Sequence, residues 1–149
     1  MIGAHHQGAV VTIVERKTKL TRLKKVTQRT AEAVTEATLQ AVKHDTVLAI
    51  TSDNGKEFAH HEIISHYLGS DFYFAKPYSP WERGLNENTN GLIRQYLPKG
   101  SSFRHLTDDD IQFIEDKLNH RPRKTLGFKT PNEVMRDSLH YCHKVALES

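Results

Sequence analysis

Val47-Leu48-Ala49-Ile50-Thr51-Ser52-Asp53-Asn54-Gly55 is the stretch on which the reading of the fold turns. Residues 47–50 are apolar and bounded by polar neighbours, which predicts a short central strand. The polar step that follows puts Asp53 at the carboxyl tip of that strand, the end where open α/β sheets hold their ligands. Upstream, Thr30 is a good helix N-cap, and Ala31, Val34, Ala37, Thr38 and Ala41 recur at helical spacing up to His44. The order strand, helix, strand favours a parallel pairing across that helix, with the helix on one sheet face.

Further upstream, Ala9-Val10-Val11-Thr12-Ile13-Val14 is β-branched and apolar on both faces, as a buried strand should be. Residues 20–26 alternate apolar with basic, so a more exposed strand is expected there, joined to the first through residues 17–19 as a hairpin. Downstream, a short helix over 61–68 and a short strand over 72–75 are expected. Lys76-Pro77-Tyr78-Ser79-Pro80 reads as a loop, because each proline removes a donor and restricts its predecessor. A helix is predicted over 84–97, with Leu85, Leu92, Ile93 and Tyr96 as its apolar stripe and Glu87, Asn90 and Arg94 on another face. The last predicted helix runs from Asp108 to Asn119, capped by Thr107 with Asp110 completing a capping box, and its core positions are Ile111, Ile114 and Leu118. Residues 135–149 read as a carboxyl-terminal tail.

The chain has 149 residues, 37% hydrophobic and 26% charged, which suits one globular domain spanning 1–149 with one core. No run approaches the roughly 20 apolar residues of a membrane span, and the first residues lack a signal-peptide layout, so a soluble cytoplasmic protein with no membrane partner is expected. A lone cysteine, Cys142, excludes an internal disulfide. The net charge of +3 is unevenly spread: Arg16, Lys17, Lys19, Arg22, Lys24, Lys25 and Arg29 lie within fifteen residues that hold one acid, and Arg121, Arg123, Lys124 and Lys129 form a second cluster. Such clusters are either solvated faces or phosphate contacts.

Asp53 closes a strand and Glu87 lies early in the predicted helix, with 33 residues between them and asparagines on either side. Carboxylates converging at a sheet edge suit magnesium, a hard ion that prefers oxygen ligands. Alone, each acid has an ordinary explanation: Asp before Asn-Gly makes a turn, and Glu in a first helical turn complements the dipole.

The surrounding sequence tips the balance. Thr51-Ser52-Asp53-Asn54-Gly55-Lys56-Glu57-Phe58 and the long run from Pro77-Tyr78-Ser79-Pro80-Trp81-Glu82-Arg83-Gly84-Leu85-Asn86-Glu87-Asn88 to Pro98-Lys99-Gly100 closely resemble the core of DDE transposases of the insertion-sequence-30 family. The likeness covers about residues 8–134, including Val14-Glu15-Arg16-Lys17-Thr18 and Asn119-His120-Arg121-Pro122-Arg123-Lys124-Thr125-Leu126.

The resemblance implies a ribonuclease-H-like α/β fold, a mixed sheet flanked by helices, in which two aspartates and a glutamate hold two divalent ions. By position, Asp53 is the second aspartate and Glu87 the glutamate, both catalytic and both metal ligands, with Mg²⁺ or Mn²⁺ as cofactor. The implied activity is hydrolysis of a phosphodiester at transposon ends followed by strand transfer into target DNA, by a homo-oligomer when intact. Lys56, Asn90, Arg94, Arg16 and Lys17 are the expected DNA contacts.

In the family the first aspartate lies in the first strand, just before the stretch matching residues 3–8; here no acid precedes Glu15. The first strand is therefore expected to be largely missing, with weak metal binding and little cleavage by this chain alone. Unpaired strand edges would favour self-association. The alternative reading is a non-catalytic DNA-binding or dimerising remnant that modulates an intact transposase. Trp81 either stacks on an unpaired base or staples the following helix. Asp108, Asp109 and Asp110 read as helix-start acids, and His140, Cys142 and His143 with His60 and His61 fit no recognised zinc spacing.

Overall fold

The computed structural model of the chain describes residues 8–76 and 80–147, with backbone alone for 80–83 and 140–147. Strands β1 (Ala9–Val14) and β2 (Thr21–Val26) form the expected antiparallel hairpin, Ala9 facing Val26 and Val14 facing Thr21. Its turn is organised by Glu15, whose carboxylate accepts from the Lys17 amide (2.9 Å) and the Thr18 hydroxyl (2.7 Å), while Lys19 takes a left-handed φ of 62°. Burial works to raise the Glu15 pKa, but the Lys17 and Thr18 donors outweigh it and hold the carboxyl below its ordinary value.

Both hairpin faces are covered, as the apolar sequence of β1 requires. Val10 and Leu23 join Ile93, Leu97, Phe103, Ile111, Ile114 and Leu118 in the main core. Ala9 and Val26 pack on the other side against Ala37 of helix α1 (Ala31–Ala41). Thr30 caps α1 as predicted, accepting from Ala33 N at 3.2 Å. Gly8 enters β1 at a φ of +79°, and a Cβ there would stand 3.3 Å from Phe103 Cβ.

Strand β3 (Ala49–Ser52) runs parallel to β4 (Asp71–Phe74), and helix α2 (His61–Leu68) connects them. This corrects the expected parallel pairing of β3 across α1: among the described residues β3 joins neither hairpin strand, and the strands form two separate pairs. Helix α1 contacts the hairpin and α2, bridging the pairs without backbone bonding.

Helix α3 spans Pro80–Ile93, so the boundaries 84–97 are corrected at both ends. Pro80 opens the helix instead of ending the loop, since at the first helical position its missing N–H has no partner to lose. After Ile93 the chain tightens into shorter-range bonds, Gln95 N to Leu92 O (3.2 Å) and Tyr96 N to Ile93 O (2.9 Å). The ridge α3 buries is Thr89 and Ile93, continued by Leu97; Tyr96 stays exposed. Residues 77–79 of the predicted loop and the Trp81 side chain lie outside the described residues.

Helix α4 (Asp108–Asn119) has the predicted limits and the predicted Thr107–Asp110 capping box. It also closes the outer edge of β2. Asn119 Oδ1 accepts from Thr21 N (2.9 Å) and its Nδ2 donates to Thr21 O (2.8 Å), while Glu115 one turn earlier accepts from Leu23 N (2.7 Å). Arg22 completes the clamp with a two-pronged pair to Asp45 (2.9 and 2.8 Å) and a bond to Glu115 (3.3 Å). In place of the expected tail, Pro131–Leu147 forms helix α5. Its start is fixed by Thr130 and Glu133, which accept from each other's amides at 3.2 and 2.7 Å.

Candidate active site

The β3 ladder ends at Ser52, whose carbonyl accepts from Ala75 N at 2.7 Å. Asp53 follows at once, exposed, at the carboxyl tip where the sequence puts it. Asn54 and Gly55 then lead into a single 3₁₀ turn, Lys56–Phe58. That turn is anchored by Glu57, which pairs with Arg29 just ahead of the α1 cap. Burial acts to raise the Glu57 pKa, but the Arg29 guanidinium together with the Glu57 backbone N–H keeps the carboxyl below its ordinary value. A Cβ at Gly55 would lie 2.5 Å from Glu57 Oε2, so glycine leaves room for this anchor. Lys56 is exposed on the outer side of the turn.

Glu87 is exposed in the middle of α3, well past its first turn, because the helix begins at Pro80. Helix α3 lies against β1 and α4 through its Thr89–Ile93 side. Asn90 is half-buried, and its Oδ1 is buried without a hydrogen-bond partner. Arg94 is drawn to the end of its own helix, where Nη1 donates to the carbonyls of Leu97 (3.3 Å) and Pro98 (3.4 Å). The predicted face of Glu87, Asn90 and Arg94 is thus chemically divided: one exposed acid, one inward amide, one capping guanidinium.

Arg16 reaches across from the hairpin turn to β3 and donates to Thr51 Oγ1 at 3.4 Å, two residues before Asp53. Lys17 stays exposed on the turn, its amide held by Glu15. Both the Arg16–Thr51 and the Arg29–Glu57 contacts join residues far apart in sequence, and no local pattern signals either.

Most acids have structural work. Glu15 and Glu57 hold turns, Asp45 and Glu115 hold Arg22, Asp110 and Glu133 cap helices, and Asp137 pairs with Lys129. Among the described residues the carboxylates of Asp53, Glu62, Glu87, Asp108 and Asp109 have no hydrogen-bond or ion-pair partner, although the Asp53 carbonyl accepts from Ser52 Oγ (3.0 Å). Glu62, Asp108 and Asp109 stand in first helical turns, where the dipole accounts for them. Asp53 and Glu87 have no such account. No cluster of three or more His, Cys, Asp or Glu able to hold a metal forms among the described residues. His61 packs with Phe72 and Phe74, with ring centres 5.6 and 4.9 Å away, and the side chains of His140, Cys142 and His143 lie outside the described set. No described helix is long and apolar enough to cross a membrane.

No family model matches the chain. It is 48% identical over 141 residues to the transposase for insertion sequence element IS4351 of Bacteroides fragilis, covering 93% of this chain and 43% of that protein. It is 38% identical over 138 residues to the transposase InsI for insertion sequence element IS30A of Escherichia coli K12, covering 91% of this chain and 36% of that protein. The chain therefore spans about two-fifths of the length of these relatives. Among solved structures, the catalytic core domain of BIV integrase superposes with a TM-score of 0.70 at 25% identity, over 95% of this chain and 93% of that one. The homologues of this chain are transposases of the IS30 family, and its fold is that of the ribonuclease-H-like integrase catalytic core.

Proposed function

We propose that this chain is the phosphoryl-transfer core of a DNA transposase, in which Asp53 and Glu87 bind divalent metal and act at the phosphodiester. The observation that carries the reading is the inventory of acids: the carboxylates of Asp53 and Glu87 are exposed and, among the described residues, unpartnered, and no helix dipole occupies them. Their donors are carboxylate oxygens, the set that Mg²⁺ or Mn²⁺ favours over softer ions. When bound, such ions supply Lewis-acid activation of the attacking oxygen and charge neutralisation at the leaving oxygen.

The chain's own residues supply position and charge. Arg16 places a guanidinium beside the strand that ends in Asp53, suited to a two-pronged grip on a phosphate. Lys56 offers a mobile ammonium on the following turn, and Lys17 extends the basic surface along the hairpin. Asn90 follows Glu87 by three residues on α3 with its amide oxygen turned inward, and Arg94 adds charge at the end of that helix. The substrate in this proposal is DNA at transposon ends and at the target, and the working form is a homo-oligomer.

The test is Mn²⁺-dependent nicking of labelled duplex DNA, alongside Mn²⁺ binding followed by electron paramagnetic resonance. Whatever nicking the unaltered chain shows is expected to fall to background in Asp53→Asn and in Glu87→Gln, with weaker ion binding in both. Nicking that survives Asp53→Asn overturns the site. Salt-sensitive DNA binding with no nicking by the unaltered chain would instead favour a non-catalytic DNA-binding role, which the absence of any metal-holding group of three or more His, Cys, Asp or Glu among the described residues supports.

A further inference from the structure

The turn between α4 and α5 exposes a ring that the fold does not use. Residues 123–129 close on themselves: Arg123 N donates to Lys129 O (3.0 Å), Phe128 N to Arg123 O (2.9 Å), Leu126 N to Arg123 O (3.0 Å) and Gly127 N to Lys124 O (3.2 Å). The base is fixed on one side by Arg123, which donates to Leu118 O of α4 (3.1 Å), and on the other by the Thr130–Glu133 cap of α5. At its tip, Gly127 and Phe128 both adopt left-handed φ values, 63° and 66°. Glycine takes this conformation freely, whereas phenylalanine is strained in it.

The strained residue is also 73% exposed. It contributes neither backbone relaxation nor packing to this fold, and strain of this kind belongs at sites of contact. Around it, residues 121–129 carry Arg121, Arg123, Lys124 and Lys129 and no acid. Arg121 and Lys124 are exposed, and Lys129 is held only by a solvent-exposed pair with Asp137, which a phosphate can displace. An aromatic face among cations, rigidly held, matches a polyanion with flat bases better than it matches a protein groove.

We propose that the loop of residues 121–129 binds a nucleic-acid strand, with Phe128 stacked on an unpaired base and Arg121 and Lys124 on the flanking phosphates. This rests on the reading of the chain as a DNA-acting core and names a second surface for that strand, one that uses neither Asp53 nor Glu87.

The experiment measures the affinity of the whole chain for a fluorescent duplex with a four-nucleotide single-stranded tail and for its blunt counterpart. Phe128→Ala is expected to weaken tailed-DNA binding roughly tenfold and blunt binding less than twofold, with Phe128→Trp restoring the difference. Phe128→Gly, which the left-handed backbone accepts, should keep the melting temperature and lose the same binding. Lys124→Ala should lower the salt slope by about one charge, and Phe128→Ala should leave that slope unchanged. Tailed-DNA affinity within twofold of the unaltered chain in both Phe128→Ala and Phe128→Gly overturns the proposal. Loss of self-association with DNA affinity intact also overturns it, in favour of a protein partner. If nicking depends on Asp53 while Phe128 proves silent, only the loop proposal fails; if the unaltered chain binds neither DNA, both readings fail.

Discussion

Asn119 is 3% exposed and does for β2 what a neighbouring strand would do, giving one acceptor and one donor to the backbone of Thr21. Asn119→Ala removes both partners at once and leaves two buried backbone groups unpaired, so an equilibrium unfolding experiment in urea should register a loss of about 2–4 kcal/mol. Asn119→Asp keeps an acceptor and loses the donor, and should fall between the two. The depressed carboxyls set the response to acid. Glu15 and Glu57 have folded pKa values below their ordinary value of 4.5. Their contribution to stability is complete above that value and lost as pH falls through the lower folded values. The melting temperature should therefore hold down to about pH 5 and decline below it. Arg29→Ala removes the charge that depresses Glu57 and should make that decline shallower.

At the scale of elements, the helices that follow sequence most closely are those whose starts are written in side chains. Thr30 and Thr107 stand at the caps of α1 and α4, and both caps accept the expected amides. Thr107→Ala should cost about 1 kcal/mol, measured by thermal unfolding, since it removes half of the capping box. The two helices that begin on a proline are harder to read. A proline-rich run suggests a loop, so α3 is expected four residues late, and α5 is expected to be a tail despite the Thr130-Pro131-Asn132-Glu133 signature of a capped start. The shift in α3 has a chemical consequence: it moves Glu87 out of the first turn and removes the helix dipole as the reason for its charge.

At the scale of the whole molecule, the separation of β1–β2 from β3–β4 among the described residues is the main structural fact. The β2 edge is closed by Glu115 and Asn119, whereas Ala49 on β3 is exposed and Leu48 just before it is 84% exposed. Exposed strand edges with apolar flanks pair with other chains. The purified chain should self-associate with rising concentration in sedimentation velocity, and Ala49→Lys should reduce the effect by placing a charge on that edge. An unchanged distribution for Ala49→Lys would mean that association runs through another surface, such as the exposed Tyr67, Tyr73 and Ile63 beside α2 and β4.

The sequence by itself determined what is local: the apolar run of β1, the alternation of β2 and their hairpin, the caps of α1 and α4, the break after Ser52 that leaves Asp53 at a strand tip, and the motifs shared with transposases. Periodicity and capping act over a few residues, so a single chain can be read for them. Only the tertiary structure decided that β3 pairs with β4, that Arg16 meets Thr51 and Arg29 meets Glu57, and that Asn119 rather than a strand closes β2. Those contacts join residues 28 to 98 positions apart, and their formation depends on the packing of α1, α3 and α4 around the hairpin, which no local pattern encodes.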